Sequence, residues 1–404
     1  MLRLKSKILY ISTTLILCFV VSSQSVFAEG GFTWTDQASA TTQPWSGVAS
    51  SSSGQYLAAT VAGGNIYTSN DYGVTWIDRT TSTPEANSAW QTITSSASGQ
   101  YLAAGDFGGD IYTSNDYGVT WTDQTASTNQ YWYYLASSSS GQYLSAVASA
   151  GGSIYTSNDY GVTWTVHANA GQGNWASIAS SSDGSKLVAA MYGGGIYTST
   201  DYGATWTETS GPSALWYNVS SSSNGEYIYA AADGLDIYKS SDYGQTWTDL
   251  TNSTSQNWWA VSTSSDGSIV VAGAWFGDIY TSTDYGATWT DNTSAGSHGW
   301  YASAMSSDGS RLIVADGDGA IRFNGPGGDI WTGYDPNLAA SSSPVSQTTS
   351  TSSSNTSIIK APDTGFGQPT RQNMWIITGG FVSSLIILSI SVKFLRKQSS
   401  TSTK

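Results

Sequence analysis

From residue 30 to residue 335 the apolar residues never settle into a helical spacing. They form short runs rich in Tyr, Val, Ile, Thr and Trp, bounded by Ser, Asn, Asp and Gly, a pattern that predicts strands. One stretch displays the whole unit. WASIASS (175–181), the turn SDG, SKLVAAM, the tip GGG, IYTS, a second turn and TWT read as four strands, a to d, joined by tight hairpins.

The unit recurs. Trp34, Trp76, Trp121, Trp164, Trp206, Trp247, Trp289 and Trp331 are spaced by 41 to 45 residues, the length of a four-stranded propeller blade. A second series, Trp45, Trp90, Trp132, Trp175, Trp216, Trp258 and Trp300, stands nine residues before Gly54, Gly99, Gly141, Gly184, Gly225, Gly267 and Gly309. The expected fold is therefore all-β: a seven-bladed β-propeller of four-stranded antiparallel blades over residues 29–335. To close the ring, FTWTDQ (32–37) is expected to supply the outer strand of the last blade; GGDIWT (327–332), where Gly328 and Trp331 match Gly73 and Trp76, competes for that place.

Composition adds the setting. MLRLKSK, the apolar run Ile8 to Val21 and Val26-Phe27-Ala28 read as a signal peptide (1–28) cut after Ala28, which places the remainder outside the cell. LILC (15–18) is a poor lipoprotein motif, and Cys18 leaves with the signal, so neither disulfides nor thiolate metal sites are expected. Residues 336–373, including LAASSSPVSQTTSTSSSNTSIIK, predict a disordered Ser/Thr stalk. Met374–Val392, nineteen residues without charge, predicts one transmembrane helix, with the basic tail 393–404 inside. Between Glu29 and Asp335, twenty-seven carboxylates against five basic side chains leave a net charge of −22, which excludes nucleic acid as a partner.

Six copies of S-x-D-x-G-x-T-W run from Ser69 to Trp76, Ser114 to Trp121, Ser157 to Trp164, Ser199 to Trp206, Ser240 to Trp247 and Ser282 to Trp289. They carry Asp71, Asp116, Asp159, Asp201, Asp242 and Asp284. A carboxylate there can accept otherwise unpaired backbone N–H groups, and the glycine supplies a positive φ, so these aspartates are read as turn-formers rather than catalysts. On this motif the chain resembles the Asp-box, or BNR, repeat proteins, which include sialidases, xyloglucan-acting glycosidases, sorting-receptor ectodomains and a photosystem II assembly factor. The resemblance implies the propeller fold and leaves the activity open. In the sialidases three converging arginines grip the substrate. Here Arg311 opens a strand b, Arg322 is expected in a strand c and Arg79 ends a strand d, and no FRIP-like segment is present, so sialidase activity is not expected.

Departures from the repeat mark the candidate ligand face, the rim that carries the b-to-c tips and the d-to-a linkers. Phe107, Tyr192, Trp275 and Phe276 lie at tips; Tyr131, Trp258, Trp259 and Tyr301 follow linkers. Aromatic rings there suit an extracellular glycan or a surface protein. Three functions follow: a surface-displayed binding module; a glycoside hydrolase using two of Asp106, Asp110, Asp233, Asp236, Asp278, Asp316 and Asp318; or a docking scaffold for membrane proteins. Binding is preferred, because nothing selects a catalytic pair. His167 and His298 are read as linker side chains. No cofactor or metal is expected; DGDG (316–319) hints at calcium but reads better as a hairpin tip. APDTG (361–365) resembles the LPxTG sorting signal, with Ala361 in place of leucine. It implies cleavage between Thr364 and Gly365 and covalent attachment to the cell wall; failing that, the helix stays in the membrane. N-x-S/T triplets at Asn218, Asn252, Asn292 and Asn355 would matter only in a eukaryotic secretory route.

Overall fold

The structure is a computed structural model that describes residues 26–29, 31–81, 86–125, 130–250, 256–317 and 327–341. The leader before Val26, the APDTG motif with Thr364 and Gly365, the apolar segment Met374–Val392 and the basic tail lie outside these residues. Among the described residues no helix is long and apolar enough to cross a membrane.

The described chain is nearly all antiparallel β-sheet, built by repeating one unit. In one copy, strand a (Trp175–Ser180) pairs with b (Leu187–Gly194), b with c (Ile196–Ser199) and c with d (Thr207–Glu208). The inner strands of successive units are Trp45–Ser50, Ser88–Ser95, Gln130–Ser137, Trp175–Ser180, Ala214–Ser221, Gln256–Thr263 and His298–Met305. Their a-to-b turns form a closed circuit. The N–H of Ser52 donates to the Ala97 carbonyl, Ala97 to Ser139, Ser139 to Ser182, Ser182 to Ser223, Ser223 to Ser265, Ser265 to Ser307 and Ser307 back to Ser52, over 2.7–2.9 Å. This is a β-propeller.

The core lies between blades. Trp45, Trp90, Trp132, Trp175, Trp216, Trp258 and Trp300 are all fully buried. Trp90, for example, packs against Ala49, Ala58 and Ile66 of the preceding blade, where alanines let the sheets approach. Each indole of this series also meets an aromatic ring steeply, as Trp90 meets Tyr112 at 5.3 Å and 77°. Truncating one such tryptophan to alanine would cost about 3–5 kcal/mol.

The last blade resolves the competition over closure. Ile330–Tyr334 is its third strand, paired with Arg311–Asp316, and Phe32–Asp36 is its fourth, paired with Ile330–Tyr334. The two candidates are neighbours, not rivals. Trp331 faces Val314 as Tyr67 faces Ala59, so it corresponds to Tyr67 rather than to Trp76. Trp34 takes the place of Trp76, fully buried, with Nε1 donating to Asn292 Oδ1 over 3.1 Å. The pattern D-I-W-T-G is thus a drifted D-I-Y-T-S. It also follows that strand c of this blade is not where Arg322 was expected; Arg322 lies outside the described residues. Val26–Glu29 adds a further strand beside Phe32–Asp36. At the other end, Pro336–Ser341 forms a short helix where the stalk was expected to begin. The Asn337 N–H donates to Asp335 Oδ1 over 2.9 Å, Pro336 sits in the first turn, and Leu338 packs on the cluster that holds Phe32 and Trp34.

Each Asp-box turn is held by its aspartate. Asp159 Oδ1 accepts the Thr163 N–H (2.8 Å) and the Ser157 hydroxyl (2.8 Å), and Oδ2 accepts the Thr163 hydroxyl (2.6 Å). The Gly161 N–H donates to Ser157 Oγ over 2.9 Å. Partial burial works to raise the Asp159 pKa, but these donors outweigh it and hold the carboxyl below its ordinary range. Positive φ is not confined to the glycine: Tyr160 (φ 62°) precedes Gly161 (φ 88°). A left-handed tyrosine costs about 1–2 kcal/mol. It places the ring against Tyr101 of the preceding blade, centroids 4.8 Å apart, and that stacking offsets the strain.

Candidate binding rim

Immediately after its tryptophan, every inner strand slips register by one residue, so that two residues face one on strand b. A bulge of this kind re-aims a side chain and frees it from the ladder. The freed position reads Ser46, Gln91, Tyr133, Ala176, Tyr217, Trp259 and Tyr301 around the ring. Six of these seven, all but Ala176, line a cavity at the axis, together with Tyr134 and Asn218. The cavity measures only about 30 Å³, room for one or two waters and not for a sugar ring. Burial pushes the Tyr134 hydroxyl above the ordinary tyrosine range, opposed by its hydrogen bond with Asn218 from the blade after next. The axis therefore has no room for a ligand larger than water, and the expected ligand residues lie on the rim around it.

On that rim, strand b outruns its own blade and pairs with the start of the next strand a: Phe107 with Tyr131, Tyr192 with Leu215, Trp275 with Gly299. This brings two groups of the expected residues together. Phe107 and Tyr131 form one pair, centroids 5.0 Å apart, both exposed. The second is a continuous stack. Tyr192 meets Tyr217 at 5.4 Å, Tyr217 lies flat on Trp259 at 4.4 Å, Trp259 flat on Trp275 at 4.0 Å, and Trp275 touches Phe276 at 4.9 Å. Tyr301 meets Trp259 edge-on, and its hydroxyl accepts from Gln91 Nε2 over 2.6 Å.

The expected platforms change roles. Trp258 is a core residue, fully buried in an interblade cluster. Trp259 and Trp275 are 93% buried, their faces covered by each other, so they form a pedestal rather than open faces. What the pedestal presents is Phe276, 65% exposed and left-handed at φ 56°. Four other tips place a glycine there, Gly63, Gly108, Gly193 and Gly234 at φ 67°, 87°, 73° and 68°, and the longer tip of the third blade has the small left-handed Ala150 (φ 56°). Tyr217, Tyr133 and Gln91 escaped the sequence reading. The column following each inner-strand tryptophan would have revealed them, since it varies from Ser46 and Ala176 to Trp259 while the tryptophan before it does not change.

The rim carboxylates are engaged in pairs along the sheet. Asp106 and Asp316 occupy the same place, opposite Trp90 and Trp300. Asp316 is buried, accepts the Gly299 N–H over 3.1 Å and pairs with His298 Nδ1 at 2.9 Å. Burial raises the Asp106 pKa, hydrogen bonds from Ala89 and Ser88 oppose this, and Asp110 adds to the rise. Burial and Asp236 raise Asp249; burial and Asp329 raise Asp36, with His298 opposing. Ser297 donates to Asp278. Asp318 is outside the described residues. Among those described, no group of three or more His, Cys, Asp and Glu residues could hold a metal ion. Arg311 lies between the rings of Tyr72 and Tyr334, at 3.9 and 4.2 Å, and Arg79 Nε donates to Thr68 Oγ1 over 2.7 Å. Thr156 Oγ1 bonds His167 Nε2 over 2.7 Å; burial lowers the His167 pKa, with Asp201 opposing. The buried Asn218 and Asn292 are structural side chains rather than open acceptors for glycosylation.

Residues 237–250, a strand c with its Asp box, match the BNR-Asp box repeat. No curated protein matches the sequence. Among solved structures, YCF48 bound to D1 peptide is similar with a TM-score of 0.58 and 14% identity, over 77% of this chain and 99% of that one. YCF48 from Cyanidioschyzon merolae gives 0.57 and 16%, over 75% and 99%. The GH74 xyloglucanase from Xanthomonas campestris gives 0.57 and 16%, over 71% of this chain and 52% of that one. Together with the six turns described above, these likenesses support a β-propeller built on Asp-box repeats.

Proposed function

We propose that the protein is a seven-bladed binding propeller, displayed outside the cell, whose b-to-c rim docks an apolar segment of another surface protein. The circuit from Ser52 back to Ser52 supports the blade number. Phe276 carries the functional reading. The left-handed box tyrosines each meet an aromatic or cationic side chain of the preceding blade, whereas Phe276 is held left-handed and largely in water, at a cost of about 1–2 kcal/mol that glycine would avoid, which favours a site over a scaffold need. Around it, Phe107, Tyr131, Tyr192, Leu215 and Leu235 are all more than a third exposed on the same rim. An apolar patch of aromatic edges and leucines, above a pedestal with no open indole face, suits a protein better than a glycan. That one similar propeller is described as bound to a peptide is in keeping with this.

The test compares the wild type with Phe276→Gly and Tyr131→Ala in capture of surface proteins, alongside an assay for released sugar. Phe276→Gly should keep or raise the melting temperature while lowering capture at least tenfold. Unchanged capture by both variants, or release of sugar, would overturn the reading.

A further inference from the structure

On the opposite rim, which carries the Asp boxes, three clefts of one design lie between successive blades among the described residues. We propose that they bind a neutral polysaccharide, one stretch of sugar units per cleft. Their volumes are about 330, 390 and 380 Å³, within the roughly 300–1,000 Å³ of small-molecule sites. The corresponding space where the ring closes, beside Arg311, is only about 30 Å³.

The lining repeats closely, apart from Arg79, Gln124 or His167 at the end of strand d. The outer floor carries Asn70, Asn115 or Asn158, exposed amides one residue before the box aspartate. The inner end is a tyrosine pair: Tyr56 with Tyr117, Tyr101 with Tyr160, Tyr143 with Tyr202, centroids 4.7–4.8 Å apart, the second ring of each still about 40% exposed. The lip is Val119, Val162 or Ala204.

The tyrosine pair recurs at Tyr227 and Tyr285 and belongs to the turn, but the sameness of the asparagine and the lip is not needed for folding. At the asparagine position the later boxes carry Thr200, Ser241 and Thr283, and at the lip position Gln245 and Ala287, in turns with the same hydrogen bonds. Exposed valines, 54% and 59% accessible at Val119 and Val162, gain nothing for the turn.

The chemistry selects the ligand. Ring faces offer apolar contact to sugar C–H groups, and amides and hydroxyls offer hydrogen bonds to sugar hydroxyls. The one carboxylate lining each cleft, Asp116, Asp159 or Asp201, already accepts donors of its own turn. An anionic polymer would be repelled by a domain of net charge −22, with Arg79 in one cleft already donating to Thr68, and a cationic one would meet a single carboxylate per cleft, its oxygens already engaged by its own turn. A wall that repeats at one blade's interval suits a chain that repeats as well, and linked weak sites gain about 10²–10⁴ in avidity.

The experiment is affinity electrophoresis of the intact purified chain through gels containing a soluble glucan, mannan or galactan. The variant combines Asn70→Thr, Asn115→Thr, Asn158→Thr, Val119→Gln and Val162→Gln, each copied from another blade. At least one polysaccharide should retard the wild type, and the combined variant, with an unchanged melting temperature, should lose at least a hundredfold in affinity. Replacing one cleft alone should give an intermediate loss, and Phe276→Gly none. Failure of all three polysaccharides to retard the wild type, or equal retardation of wild type and combined variant, would overturn the proposal without touching the reading of the other rim.

Discussion

Asp159 shows what one residue contributes here. Its three donors sit within a half-exposed turn, so the loss on Asp159→Ala is well short of three buried charged hydrogen bonds and comes to about 2 kcal/mol, read as a lower urea midpoint at constant slope. Asp159→Asn keeps one carbonyl acceptor and should lose about half as much. An alanine variant as stable as the wild type would refute the turn-forming role. That role was legible in the sequence because six copies cannot all serve one active site. The left-handed tyrosine beside it was not: all six box tyrosines are left-handed, whether the ring meets Tyr101 as at Tyr160 or Arg311 as at Tyr72, and those partners lie on the neighbouring blade, far away in sequence. Trp259 and Trp275 failed as open platforms for the same cause. Each is covered by the other, and Trp259 by Tyr217 as well, and a contact between strands is not written at any of these positions.

At the scale of the element, the turns carry a pH signature. The carboxyls of Asp71, Asp116, Asp159, Asp201, Asp242 and Asp284 lie below their ordinary value, and Asp183 in an a-to-b turn, held first by the Ser181 hydroxyl, falls to about 2. A depressed folded pKa means that the unfolded chain takes up protons first as the pH drops. The stabilisation is therefore complete above the unfolded value of 3.8 and is lost as the pH falls toward 2. Asp36, Asp106 and Asp249 are shifted the other way and offset only part of this. The melting temperature should stay level from pH 7 to about 5 and decline steadily from about 4 to 2. A midpoint that held constant down to pH 3 would contradict it. Strand order within the unit was plain from the hydrophobic pattern. The bulge was hidden, because a one-residue slip leaves the spacing from tryptophan to glycine unchanged at nine.

For the whole molecule, the joint between first and last strands decides whether the ring closes. Phe32–Asp36 comes from one end of the propeller and Ile330–Tyr334 from the other, and their pairing buries Phe32 and Trp34 completely. A chain beginning at Glu29 keeps that strand. One beginning at Ala38 loses both aromatics and leaves the edge of Ile330–Tyr334 unpaired. Loss of one such ring costs about 3–5 kcal/mol, and a domain has only about 5–15 kcal/mol in all. The shorter chain should therefore melt at least 10 °C lower and associate through its open edge, seen as oligomers by size-exclusion chromatography. Supplying a peptide of residues 29–37 should restore a monomer. A monomeric shorter chain with an unaltered melting temperature would show that the ring holds without its clasp. Cleavage after Ala28, where the signal peptide is expected to end, would remove most of Val26–Glu29 and spare Phe32–Asp36 entirely, so it would leave the clasp intact.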